Sequence, residues 1–150
     1  MEIIEITENN LCEAGKIHAE SWQESHRGFC AEEFVARHTK EAQTEYIRSE
    51  IAKGKAFYML VDFKPVGIVS VKGCLIENLY ILPDEQRKGY GSMLLQYAIQ
   101  QCAGVPTLWI LSNNKRASAF YRKHGFAESG KRKALRNDLF ELEMILSSKG

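Results

Sequence analysis

The stretch "PDEQRKGYGS" (residues 83–92) decides the fold. Before it runs "CLIENLYIL", an apolar run that reads as a buried strand. After it runs "MLLQYAIQQC", in which Leu95, Ala98, Ile99 and Cys102 recur at helical spacing. A strand therefore becomes a helix across a loop carrying two cations, Arg87 and Lys88, and two glycines, Gly89 and Gly91. A helix N-terminus bears about half a positive charge and several N–H groups with no partner inside the helix. Glycine lets the backbone curl and lets an oxygen approach it closely. With cations alongside, the stretch suits a phosphate or pyrophosphate. The same residues also suit an ordinary strand-to-helix turn with a solvated basic rim. Two nucleotide loops are excluded: no GxxxxGK followed by Ser or Thr is present, and the third glycine of a dinucleotide fingerprint is replaced by Leu94.

Working outward, the N-terminal "EIIEI" reads as a short strand. Asn10, with Glu13 three residues on, resembles a helix-opening capping pair. Leu11, Ala14, His18 and Trp22 follow at helical spacing. A second helical region begins after Gly28 and shifts its apolar stripe near Thr39, which predicts two short helices. "KAFYMLVDF" and "VGIVSV" read as strands of a hairpin turning at Lys64 and Pro65, and "CLIENLYIL" follows as a third. Beyond the helix ended by Gly104, Val105 and Pro106, "TLWILS" has the continuous apolar pattern of a strand covered on both faces. "NNKRASAFYRKHG" is a helix opened by Asn113 or Asn114 and closed by Gly125. "FAES" and "DLFELEMIL" are the last strands, with "KRKALR" (residues 131–136) expected as a solvated turn between them. The order β-αα-βββ-α-β-α-ββ predicts one mixed α/β domain over residues 1–150, a sheet with helices over its faces.

The chain has 150 residues, 45% of them hydrophobic and 26% charged, which suits one globular domain. A formal charge of +1 argues against nucleic acid or an anionic membrane as partner. Neither a spanning apolar run nor a signal pattern is present. Cys12, Cys30, Cys74 and Cys102 show no ligand spacing, so reduced thiols, no metal and a cytoplasmic location are expected.

"QRKGYG" (residues 86–91) resembles the Q/R-x-x-G-x-G/A motif of the GNAT superfamily of N-acetyltransferases. "NKRASAFYRKHGF" (residues 114–126) is similar to that family's N-x-x-A-x-x-F-Y-x-x-x-G-F segment. The strand order agrees, so the resemblance covers nearly the whole chain. It implies a mixed, largely antiparallel sheet with helices on both faces and one splayed parallel strand pair, "NLYIL" beside "TLWILS". It also implies acetyl-coenzyme A as cosubstrate. The backbone N–H groups of Arg87, Lys88, Gly89, Tyr90, Gly91 and Ser92 would grip the pyrophosphate. The backbone of Leu79, Tyr80 and Ile81 would bond the pantetheine arm and thioester, and Asn114 would touch the coenzyme.

Acetyl transfer to an amine needs a neutral amine, a stabilised thioester oxygen and a partner for the departing sulfur. An amine of pKa about 10.4 is only about 0.04% neutral at pH 7, a deficit of about 4.6 kcal/mol. Glu77, expected on one strand face with Leu75, Leu79 and Ile81, is the candidate base; its other reading is a carboxylate that reaches solvent or pairs with a lysine. An N–H exposed by splaying near Ile81 would serve the oxygen. Tyr121 matches the family's general-acid tyrosine. The four histidines share no spacing that suggests a site. By resemblance, the first two helical regions and the last hairpin, with "KRKALR" at its border, frame the acceptor, which implicates Trp22, Glu24, Arg27, Phe29 and their neighbours. The leading expectation is transfer to a primary amine of a small molecule. Transfer to a protein N-terminus or lysine, and a non-catalytic coenzyme A-binding regulatory module, are the alternatives. The family also admits a homodimer.

Overall fold

The computed structural model describes residues 1–27, 31–136 and 138–147. Strand β1 (Glu2–Glu5) leads into helices α1 (Leu11–His26), α2 (Glu32–Ala36) and α3 (Lys40–Ala52). Strands β2 (Ala56–Asp62), β3 (Lys64–Lys72) and β4 (Leu75–Ile81) follow as a meander. A 3-10 turn (Pro83–Glu85) then precedes α4 (Tyr90–Gln101), β5 (Thr107–Leu111), α5 (Lys115–Lys123), β6 (Phe126–Arg136) and β7 (Leu139–Leu146). The seven strands form one sheet in the order β1-β2-β3-β4-β5-β7-β6. Every pairing is antiparallel except β4 with β5. The mixed sheet and its parallel pair are as expected from the sequence.

Two apolar cores sandwich the sheet. On one face Leu94, Leu95 and Ala98 of α4 pack on Val69, Val71, Ile76, Leu108 and Met144, with Phe120 and Tyr121 of α5 alongside. On the other face Leu11, Ala14 and Ile17 of α1 and Ile47 of α3 cover Phe57, Met59 and Ile68. Gly15 lets α1 and α3 touch, since a Cβ there would overlap the Thr44 side chain. Among the described residues no helix is long and apolar enough to cross a membrane.

Several local expectations change. Asn10 precedes α1 but does not cap it with its side chain. Its Oδ1 instead accepts from Thr7 N at 2.8 Å, and its Nδ2 donates to Glu5 O, so the amide closes the β1–α1 turn. The β2–β3 hairpin turns at Phe63, whose φ of +66° takes the left-handed step, and Lys64 already belongs to β3. "KRKALR" is not a turn but part of the eleven-residue strand β6, an exposed sheet edge paired only with β7. Gly28, Phe29 and Cys30 lie outside the described residues, and with them Phe29 as an acceptor contact.

Candidate active site

Strands β4 and β5 share a single register pair, Leu75 with Thr107, and then diverge. A cleft opens toward the C-terminal end of β4. The divergence begins where β4 itself bulges. The β3 register jumps between Ile68, opposite Tyr80, and Ser70, opposite Glu77, and Asn78 has a φ of +53°. Asparagine takes that conformation more readily than most residues because its amide bonds locally. One extra residue in a strand reverses the facing of all that follow. Leu79 and Ile81 therefore pack on the α4 side, whereas Tyr80 packs on the α1 side.

This corrects the expected strand face. Ile76 packs among the α4-side residues, so Glu77 projects to the α1–α3 side together with Tyr80, and Leu79 and Ile81 do not share its face. The Glu77 carboxylate receives the Lys55 ammonium at 2.6 Å. Lys55 is only 7% exposed and also meets Glu50 at 2.9 Å. Burial opposes the Lys55 charge, yet the bonds to Glu77 and Glu50 carry its pKa above the ordinary lysine value. The lysine-paired reading of Glu77 thus describes its resting state.

The loop that enters α4 is held from below by side chains. The Tyr90 hydroxyl donates to Asp62 at 2.6 Å, and the buried Glu85 binds both Lys64 (2.8 Å) and Lys88 (2.9 Å). Lys88 is therefore engaged at the loop's base, while Arg87 has no ion-pair partner among the described residues. Arg87 and Gly89 both adopt left-handed backbone, with φ of +67° and +91°. These two reversals turn the chain so that the first N–H groups of α4 face outward, where helix geometry leaves them without partners. A Cβ at Gly89 would meet nothing within 4 Å, so the loop lies against open space, as an anion cradle requires. Gly91 differs: a Cβ there would rest 3.5 Å from the Phe120 ring, an ordinary contact between α4 and α5. Ser92 reaches His124, just past the end of α5, at 2.9 Å.

At the tip of β4, Leu82 N bonds Val66 O, so Leu82 directs its N–H to β3 and Ile81, by strand alternation, directs its own away from β3. The Ile81 carbonyl is already occupied, receiving Ser21 Oγ at 3.1 Å and Gln86 Nε2 at 3.2 Å. That leaves the Ile81 N–H as the polar group this residue can offer. Asn114 caps α5 by accepting from Ala117 N at 3.0 Å, which leaves its Nδ2 for other partners.

Tyr121 lies on α5 and packs among the α4-side residues. Burial pushes its pKa up to about 12, and its hydroxyl has no hydrogen-bond partner among the described residues. Tyr80 is buried as well, and burial raises its pKa, with Tyr46, Tyr121 and Glu77 adding to the rise. Tyr121 and Glu77 thus both lie within electrostatic reach of Tyr80.

Trp22, expected to frame the acceptor, is covered on both faces. His26 stacks at 3.9 Å and His38 at 3.5 Å, with Phe34 edge-on. Glu24 and Arg27 pair with each other at 3.1 Å. The sequence reading missed His18, Gln43, Ser70 and Asn78, which meet behind the bulge. The signal was the adjacent polar pair Glu77 and Asn78 inside an apolar strand, which breaks the alternation as a bulge does. Among the described residues no group of three or more His, Cys, Asp or Glu is placed to hold a metal.

A family model described as "Acetyltransferase (GNAT) domain" matches residues 34–128, more than half of the sequence, and the chain belongs to that family. Among curated proteins it is similar to the peptidyl-lysine N-acetyltransferase YjaB of Salmonella typhimurium, 34% identical over 68 residues, 45% of this chain and 46% of that protein. It is also similar to the [ribosomal protein bS18]-alanine N-acetyltransferase of the same organism, 41% identical over 56 residues, 35% of this chain and 38% of that protein. The chain thus spans less than half the length of the curated relatives it matches. Among solved structures, the PaiA N-acetyltransferase of Thermoplasma acidophilum in complex with coenzyme A superposes with a TM-score of 0.68 at 23% identity, covering 95% of this chain and 96% of that one. A GNAT-family acetyltransferase of Bacillus cereus does so with a TM-score of 0.73 at 15% identity, covering 96% and 94%. At these identities the structural likeness establishes the fold.

Proposed function

We propose that this protein is an acetyl-coenzyme A-dependent N-acetyltransferase that acts on a primary amine. The observation that carries the reading is the outward N-terminus of α4, entered through left-handed Arg87 and Gly89, beside a cleft that β4 and β5 open by diverging. Residues 87–92 would hold the pyrophosphate, and the Ile81 N–H would face the arm between the strands. The coenzyme supplies an acetyl group activated as a thioester. The chain supplies the rest. The Ile81 N–H stabilises charge on the carbonyl oxygen, and the Tyr121 hydroxyl donates toward the departing sulfur. Glu77 faces the α1–α3 side, from which the family resemblance brings the acceptor. Its carboxylate rests against Lys55 at 2.6 Å, and it takes the amine proton directly or through water.

A small-molecule amine remains our reading of the acceptor. A protein amine is the second reading, favoured by the printed names of the two curated relatives, one a peptidyl-lysine and the other a ribosomal-protein-alanine enzyme. A panel of small primary amines, lysine-containing peptides and peptides with free N-termini, read by thiol release from acetyl-coenzyme A, separates them. Turnover confined to peptides would replace the first reading by the second. Coenzyme binding without turnover on any arm would leave a regulatory module.

A further inference from the structure

His18 of α1 is 3% exposed and lies directly behind the β4 bulge. The Gln43 amide of α3 meets its Nδ1 at 2.8 Å, and the Asn78 amide lies 3.3 Å from its Nε2. Ser70 of β3, wholly buried, donates to Asn78 Oδ1 at 2.7 Å. The ring is further packed by Tyr80 at 4.8 Å and Tyr46 at 5.4 Å. Ser70 fixes the Asn78 amide so that its Nδ2 donates to Nε2; the neutral ring then carries its proton on Nδ1 and donates it to the Gln43 amide, turned to present its oxygen. Burial keeps the ring neutral, lowering its pKa to about 4. The chain Gln43–His18–Asn78–Ser70 therefore joins four elements, α3, α1, β4 and β3, and passes through the one residue of β4 with left-handed backbone.

A buried polar chain of this kind fixes one arrangement because any alternative leaves amides unpaired. Its consequence runs along the strand. Asn78 sets the facing of Leu79, Tyr80 and Ile81, and so the direction of the N–H that Ile81 turns away from β3. We propose that His18, Gln43 and Ser70 are positioning residues for acetyl transfer: they clamp the Asn78 amide, lock the β4 bulge, and thereby aim the β4 backbone into the cleft. The inference rests on the coenzyme arm lying between β4 and β5, as proposed above.

The test compares the parent with His18→Phe, which fills the same space without hydrogen bonds, and His18→Gln, whose amide reaches both neighbours. Backbone amide resonances are recorded without coenzyme, and acetyl-coenzyme A affinity is measured by calorimetry. His18→Phe is expected to displace the Leu79 and Ile81 resonances and to weaken acetyl-coenzyme A binding about tenfold, the scale of a lost buried hydrogen bond. His18→Gln is expected to restore both. Unmoved Leu79 and Ile81 amides in His18→Phe, unchanged affinity, or no restoration by His18→Gln overturns the proposal. Should His18→Phe fail to fold, Ser70→Ala removes a single hydroxyl from the Asn78 end and is judged by the same two readouts. A parent that does not bind acetyl-coenzyme A contradicts the proposed function instead, while the amide resonances still decide the clamp.

Discussion

The Tyr121 hydroxyl has no partner among the described residues, and burial, which pushes its pKa up to about 12, changes what it can do. Full proton transfer from it to a thiolate of pKa about 8.5 is uphill by about 5 kcal/mol. A hydrogen bond to the developing charge carries no such penalty. Tyr121→Phe keeps the ring against Phe126 and should lower kcat by about ten- to a hundredfold, the low end of general-acid effects, with coenzyme affinity retained. Steady-state kinetics beside calorimetry on one preparation checks it; undiminished kcat would make Tyr121 a packing residue. Glu77→Gln asks a different question, because Lys55 keeps Glu50 and the pair is not orphaned. A base at Glu77 predicts the largest loss of turnover at low pH, where the fewest acceptor amines are neutral. An unchanged pH–rate profile would leave Glu77 as the partner of Lys55 alone.

The loop and the bulge are both elements in which backbone conformation outweighs side-chain chemistry. Gly89→Ala must force a Cβ into left-handed backbone, so it should destabilise the protein by about 1 kcal/mol and weaken acetyl-coenzyme A binding. Gly91→Ala should do neither, since its methyl meets Phe120 at ordinary distance. Denaturant melts and calorimetry on the two variants test the contrast, and equal behaviour would contradict it. The loop was legible because glycine spacing and a strand-to-helix change are written in adjacent residues. The helix opened by Asn114 was legible for the same reason, and its capping bond is present. Glu77 was misplaced because period-2 alternation assumes an unbroken ladder, and only the partner strand reveals the register jump at Asn78. His18 showed its place on the apolar stripe of α1 but not its role: its partners Gln43 and Asn78 are distant in sequence and meet only after α1 and α3 close over β4.

Over the whole molecule, the formal charge of +1 conceals an uneven distribution. Between residues 115 and 136 stand eight lysines and arginines against one acid, Glu128. Much of that charge lies on the exposed edge strand β6, where Lys131 and Lys133 oppose pairing with another sheet edge. A homodimer formed through this edge is accordingly disfavoured. Global stability should also depend on pH through His18. The unfolded chain takes up that proton near pH 6.5 and the folded chain only near 4. Stability from the neutral ring is complete above pH 6.5 and is lost as the pH falls toward 4, by about 3 kcal/mol. His26 and His124, both lowered by burial, act in the same direction. Thermal melts from pH 7.5 to 4.5 should fall accordingly, and His18→Phe should flatten the fall; identical slopes would refute the assignment. The central claim, that the cleft between β4 and β5 beneath the α4 N-terminus receives acetyl-coenzyme A, is tested most directly by thermal unfolding with and without that ligand. At a hundredfold excess over its dissociation constant the native state should gain about 2.7 kcal/mol and Tm should rise visibly, with adenosine giving far less. A folded sample whose Tm does not move at millimolar acetyl-coenzyme A would contradict the account.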